Sequence, residues 1–227
     1  MKLVLLGPPG AGKGTQAQLL KKDLKLIHIS TGDILREEMK KESPVGKEIK
    51  KLVESGKLVP DEIVTQIVAE RLKALDSKTG CLLDGFPRTV KQAQDLDRIL
   101  KAIQQPLDYA IYMAASLPVI LKRLTGRRVC KKCGTPYHVK NRPPKKEGVC
   151  DLCGGALYQR ADDNEGTIKT RMQEYTANTA PIIQYYEKQG KLLKVDSDRE
   201  SEDVQVDLLK KFKADGKFDH HQNTTRA

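Results

Sequence analysis

Lys2-Leu3-Val4-Leu5-Leu6, followed at once by Gly7-Pro8-Pro9-Gly10-Ala11-Gly12-Lys13-Gly14-Thr15, decides the fold of this chain. An apolar run of strand length leads directly into a glycine-rich loop, and a helical pattern takes over from Lys13. A phosphate is anionic and ringed by acceptor oxygens, so its receptor needs converging N–H donors and a positive field. Glycines let the backbone fold tightly enough to aim N–H groups inward, and the following helix adds its positive end. The lysine then reaches the outer phosphates. A glycine-rich turn that binds nothing is the plainer alternative, but the order strand, loop, helix places this loop where phosphate binding requires it. Gly10, Ala11, Gly12, Lys13, Gly14 and Thr15 therefore read as a nucleoside triphosphate site. The loop departs from the general pattern in one respect: Gly14 follows the lysine, and the hydroxyl comes one place later, at Thr15. A direct hydroxyl ligand for magnesium is thereby in question. Phosphates and waters are expected to hold most of an ion that gives up water reluctantly.

Working outward, short apolar runs alternate with helical periods, the signature of an α/β fold with a parallel sheet. Strands are expected at Leu3–Leu6, Leu26–Ile29, Cys81–Asp84, Tyr109–Met113 and Leu192–Val195. Helices are expected at Lys13–Lys22, Gly32–Lys40, Val45–Ser55, Asp61–Ala74, Val90–Ala102, Leu117–Leu124, Glu165–Gln189 and Glu202–Lys213. Ser30 with Asp33 reads as a capping box opening the second helix. Two stretches break the alternation: 30–59, with two helix patterns in place of one short crossover, and 126–163, rich in Gly, Pro, Cys and basic residues. Both read as insertions on a core sheet, at the end where open α/β sheets bind ligands. The tail 215–227 has no apolar pattern and is expected to fray. Its Asn223-Thr224-Thr225 and His220-His221 are read as a glycosylation match without consequence and as solvated side chains.

The 227 residues carry 41 Lys and Arg against 30 Asp and Glu, a net charge of +11. Such a balance suits either nucleic acid or small polyanions. There is no Trp, and the seven Tyr and three Phe are not interleaved with basic residues as a base-stacking platform requires. Small anions are favoured and nucleic acid is not expected. No apolar run approaches the roughly 18 residues of a membrane span. The first apolar run is too short for a secretory signal, so a cytoplasmic location without membrane association is expected.

Cys130-x-x-Cys133 and Cys150-x-x-Cys153 have the spacing of a zinc site built from two thiolate turns. Four thiolates leave no open position on tetrahedral zinc, so the site would be structural, replacing a core that this polar segment lacks. A pair of disulfides is the alternative, disfavoured in a reducing compartment. Iron or cobalt also occupies four thiolates. Cys81 lies in a strand pattern and reads as an apolar filler.

Three further runs then become legible: Ser30-Thr31-Gly32-Asp33-Ile34-Leu35-Arg36, Leu83-Asp84-Gly85-Phe86-Pro87-Arg88-Thr89 and Gly126-Arg127-Arg128. Together with Gly7–Gln16 they resemble adenylate kinases, in the long-lid form with a four-cysteine zinc lid, in order from residue 1 to about 210. The resemblance implies a P-loop NTPase fold with a five-stranded parallel sheet and transfer of the terminal phosphoryl of MgATP to AMP, giving two ADP. It divides the chain into a core (1–29, 60–125 and 164–227), an AMP-binding flap (30–59) and a zinc-binding ATP lid (126–163). By match of position, Lys13 and the loop would hold the ATP phosphates, Arg123 and Arg127 would meet ATP, the Pro136-Tyr137 backbone would cover the adenine, and Arg199 would contact it by its backbone. Thr31, Arg36, the Lys57, Leu58 and Val59 backbone, Gly85, Phe86, Pro87, Arg88 and Gln92 would hold AMP, with Gln92 on the adenine edge. Arg160 and Arg171 would converge on the transferring group, and Asp84 would orient magnesium through water. Asp162-Asp163 admits two readings, lid-closing ion pairs or a polar hinge. The family is usually monomeric. A kinase for UMP, CMP or GMP is the nearest rival, and a zinc-ribbon nucleic-acid-binding ATPase the rival from another class.

Overall fold

The computed structural model describes residues 1–41, 43–76 and 79–217. His220-His221 and Asn223-Thr224-Thr225 lie outside the described residues. The chain runs β1 (Lys2–Leu6), α1 (Lys13–Leu24), β2 (Ile27–Ser30), α2 (Thr31–Glu38), a 3-10 turn (Met39–Lys41), α3 (Pro44–Glu54) and α4 (Asp61–Lys73). It continues through β3 (Cys81–Asp84), α5 (Val90–Ala102), β4 (Tyr109–Ala114) and α6 (Leu117–Thr125). Three short strands follow, β5 (Arg127–Cys130), β6 (Pro136–His138) and β7 (Leu157–Tyr158). Then come α7 (Glu165–Glu174), a π-helical segment (Tyr175–Thr179), α8 (Pro181–Lys188), β8 (Leu192–Asp196) and α9 (Ser201–Ala214).

Strand β1 is buried end to end because it is the middle of a five-stranded sheet, ordered β2-β3-β1-β4-β8, with every pairing parallel. Side chains alternate across a strand, so β1 feeds two cores. Val4 and Leu6 join Val68, Leu72, Leu96, Leu100, Ile182 and Tyr186 from α4, α5 and α8 on one face. Leu3 and Leu5 join Ala17, Leu20, Val204, Leu208 and Phe212 from α1 and α9 on the other. A parallel strand covered on both faces must be apolar throughout, which is why these strands read as continuous hydrophobic runs. Register brings Asp84 opposite both Leu5 and Ser30 at the carboxyl edge, where the glycine loop also begins.

β3 and α5 occupy the expected residues, and most other boundaries move by one or two. Residues 30–59 hold the two expected helices, docked on the first core through Leu35, Ile49 and Val59. Half of the expected capping box forms: Ser30 Oγ accepts from the Asp33 N–H at 3.2 Å, while the Asp33 carboxylate turns to Arg36 and Arg160. One expectation needs correction. The helix expected over Glu165–Gln189 breaks into α7, the π segment and α8, the Ala180 N–H reaching back five residues to the Tyr175 carbonyl at 2.8 Å. Pro181 has no N–H to continue the regular ladder, and the re-registered turn lies just before it. Residues 126–163 also carry a separate antiparallel sheet, β6-β5-β7, whose strands of two to four residues are too short to show periodicity.

Candidate active site

The loop after β1 needs its glycines. Gly10 has φ +81° and Gly12 φ +91°, conformations costly for any residue with a Cβ. A Cβ on Gly10 would also stand 3.0 Å from the Ile120 carbonyl. Gly12 caps α1, so the positive end of that helix faces the loop interior. Lys13 folds back over the loop, donating to the carbonyls of Gly7 (2.7 Å) and Pro8 (2.8 Å). Burial pushes its amine down to about 7, opposed by the charge of Asp84 and reinforced by Arg88, Arg171 and Arg127. A cation held this way gains from the arrival of a polyanion.

Loop, sheet edge and both insertions enclose one cleft of about 500 Å³. Arg36, Arg88, Arg123, Arg127, Arg160 and Arg171 all line it. Nη1 of Arg123 and Nε of Arg160 are buried there without a hydrogen-bond partner among the described residues, donors with an unmet need. Burial also pulls Arg160 and Arg171 down to about 10. Asp84 ends β3 in the same cleft. Burial alone would raise its carboxyl, but the adjacent His28 imidazole and the charges of Lys13 and Arg88 hold it below the ordinary range. His28 Nε2 lies 3.5 Å from its Oδ2.

Three carboxylates knit the arginines together. Asp162 and Asp163 are only 7% and 2% exposed. Arg127 is bidentate on Asp163, with Nε 2.8 Å from Oδ2. Arg171 meets Asp162 at 3.0 Å and Asp163 at 3.3 Å, Arg36 meets Asp162 at 3.6 Å, and Arg160 meets Asp33 at 3.7 Å. Of the two readings of Asp162-Asp163, ion pairing is the one present. The pairs tie residues of 30–59 to 126–163, and 126–163 to α7.

The four cysteines meet at one point of the small sheet. Their Sγ atoms all lie within 4.8 Å of one another, with Cys130 to Cys153 at 3.4 Å and Cys133 to Cys150 at 3.6 Å. Four sulfurs about 2.3 Å from a tetrahedral zinc would sit about 3.8 Å apart, so the donor set fits such an ion. Each cysteine pair closes a matching turn: the Gly134 N–H donates to the Cys130 carbonyl and the Gly154 N–H to the Cys150 carbonyl, both glycines having positive φ.

A family model described as adenylate kinase matches residues 5–191. The chain belongs to the adenylate kinase family. An adenylate kinase of Caldicellulosiruptor bescii is 51% identical over 210 residues, which span 92% of this chain and 98% of that relative. Those of Desulforamulus reducens and Bacillus licheniformis are 50% and 48% identical, again over 92% of this chain and 98% and 96% of theirs. This adenylate kinase family member is accordingly a phosphotransferase, and no helix among the described residues is long and apolar enough to cross a membrane.

The cleft lining gathers Gly10, Gly12, Lys13, Gly14, Thr15, Leu58, Gly85, Pro87, Pro136 and Tyr137 with Asp84 and the six arginines. Other residues expected at the site stand behind that surface. Ala11 and Phe86 are fully buried, Val59 nearly so, and the Lys57 N–H is spent on the Leu52 carbonyl. Thr31 donates to the Asp84 carbonyl at 3.3 Å. Gln92 accepts from the Arg88 N–H at 2.7 Å and donates to Asp61 at 2.7 Å. Arg199 pairs its side chain with Asp207, and its backbone carbonyl accepts from Arg123 at 3.3 Å. Sequence reasoning missed His28, Asp33, His138 and Thr179. His138 lines the cleft with Nε2 on the Lys122 carbonyl (3.0 Å), and Thr179 donates to the Arg88 carbonyl at 2.9 Å. Each acts through a partner distant in sequence, and no local pattern carries that signal.

Proposed function

We propose that the cleft holds MgATP and AMP together and moves the terminal phosphoryl group between them. The observation that carries this reading is the convergence of Lys13 and seven arginines, the six named above with Arg142, on one cleft, two of the guanidinium groups having buried donors without partners among the described residues. The AMP phosphate is already an anion at neutral pH, so no general base is required to make the nucleophile. The transition state spreads negative charge over equatorial oxygens, which fixed cations stabilise in a water-poor site. In this reading Lys13 and the 10–15 backbone take the ATP phosphates, with Arg123 and Arg127, while the 136–137 backbone covers the adenine. Arg36 and Arg88 take the AMP phosphate, and Arg160 and Arg171 lie between the two. Residues 30–59 act as the AMP flap and 126–163 as the ATP lid, and their closure keeps water from the phosphoryl group.

Magnesium neutralises phosphate charge when bound; Asp84, a half-buried carboxylate at the sheet edge, would hold its hydration shell, with Thr15 nearby in the lining. Zinc would take the four thiolates of Cys130, Cys133, Cys150 and Cys153 in a closed, structural role. The protein acts as a cytoplasmic monomer in this reading.

The test is transfer from MgATP to AMP, UMP, CMP and GMP in parallel, with separation of the nucleotides. Diphosphate is expected from AMP alone. A preference for another base would overturn the adenine assignment, including Thr31 and Gln92, and no transfer to any of the four would overturn the kinase reading.

A further inference from the structure

Tyr137 sits on β6 between the nucleotide cleft and the four-cysteine cluster. It lines the nucleotide cleft, yet its side chain is only 6% exposed and runs into the cysteine cluster. There it shares a small apolar core with Cys130, Cys150 and Leu157. Its hydroxyl accepts from the Asp151 N–H at 2.8 Å. That bond occupies an oxygen lone pair and leaves the phenolic proton free, and Cys150 Sγ stands 3.4 Å away to receive it. Cys133 has a comparable partner in the Thr135 hydroxyl at 3.1 Å, and Cys130 in the Lys132 N–H at 3.4 Å. Of these hydrogen-bond donors, Tyr137 alone lines the cleft.

We propose that Tyr137 is the positioning residue that couples the four-cysteine metal site to the ATP-covering wall of the cleft: its hydroxyl donates to the Cys150 thiolate and so fixes that ligand, and its backbone shapes the wall. The inference rests on the metal reading given above. A thiolate that accepts a hydrogen bond carries its charge at lower energy and keeps one orientation toward the metal, and groups holding a ligand in this way typically change metal affinity 10–100-fold when removed. The β5–β6 ladder pairs Arg128 with Tyr137 and Arg127 with His138, so a shift of Tyr137 is felt at the strand that carries both Arg127 and Cys130.

The test is Tyr137→Phe in the full chain, loaded with cobalt as a spectroscopic probe and challenged with excess chelator. Phenylalanine keeps the ring that fills the lid core and removes only the donor. The expected result is cobalt release at least tenfold faster than from the native chain, with the sulfur-to-cobalt charge-transfer band moved to lower energy. KM for ATP should rise severalfold while KM for AMP stays within twofold. A merely structural role would lower the melting temperature and leave the band in place, and that outcome overturns the proposal. So does release within twofold of native. A native chain that takes up no cobalt would instead overturn the metal reading on which the proposal stands, and is recognised before any variant is compared.

Discussion

Lys13 shows how much a single side chain owes to its surroundings. A lysine in water titrates near 10.4, whereas burial beside Arg88, Arg127 and Arg171 brings this one to about 7. With its folded value lowered, the amine is charged below pH 7 and largely neutral above, until an anion arrives and restores the charge. Nucleotide binding is therefore linked to proton uptake in the window from about 7 to 10.5. Calorimetry of MgATP binding at pH 8.5, in two buffers of different ionisation enthalpy, should report net uptake approaching one proton. The uptake should fall toward zero at pH 6 and disappear in Lys13→Met. Uptake that persists in the methionine variant would assign the proton elsewhere. Lys13 was legible in the sequence from its loop; its partners Asp84 and Arg88 were legible only as motif residues. That His28 stands behind Asp84 was not legible, because β2 and β3 become neighbours only in the sheet.

Among the elements, the π-helical turn Tyr175–Thr179 has the clearest consequence. It lies between Arg171 and Pro181 and presents Tyr175 and Thr179 to the cleft. Thr179 donates to the Arg88 carbonyl, while the Gln92 side chain accepts from the Arg88 N–H, so both backbone groups of that arginine are held by side chains from different helices. A neutral hydrogen bond of this kind is worth about 1 kcal/mol. Thr179→Val should raise KM for AMP roughly fivefold. It should leave kcat and KM for ATP within twofold, and Thr179→Ser should restore native values. Equal shifts in both KM values would point to general loosening of the helix and contradict the assignment. Periodicity shows the helix and Pro181 shows where it ends, but a re-registered turn leaves no mark in the hydrophobic pattern. The three strands of the small sheet are equally silent, since a ladder of two to four residues depends on the cysteine cluster beside it more than on its own side chains.

At the scale of the whole molecule, what the sequence made legible follows from burial on two sides. β1, β3 and β4 are covered on both faces and are apolar except at Lys2 and Asp84 at strand ends, so the parallel sheet and its carboxyl edge could be read directly. The two insertions stand out because they interrupt that rhythm. How they meet could not be read, because Arg36–Asp162 and Arg160–Asp33 join residues more than a hundred positions apart. Those pairs close the cleft around the place where phosphoryl transfer is proposed. In this reading one cationic, water-poor cleft directs a phosphoryl group to a second nucleotide and not to water. The measurement that tests it most directly follows the label from γ-labelled MgATP in a single turnover at saturating AMP, in the native chain and in Arg88→Lys. Label is expected in ADP with little inorganic phosphate, and transfer slowed about 10²–10³-fold in the lysine variant. Label appearing as inorganic phosphate at the same rate with or without AMP would contradict it.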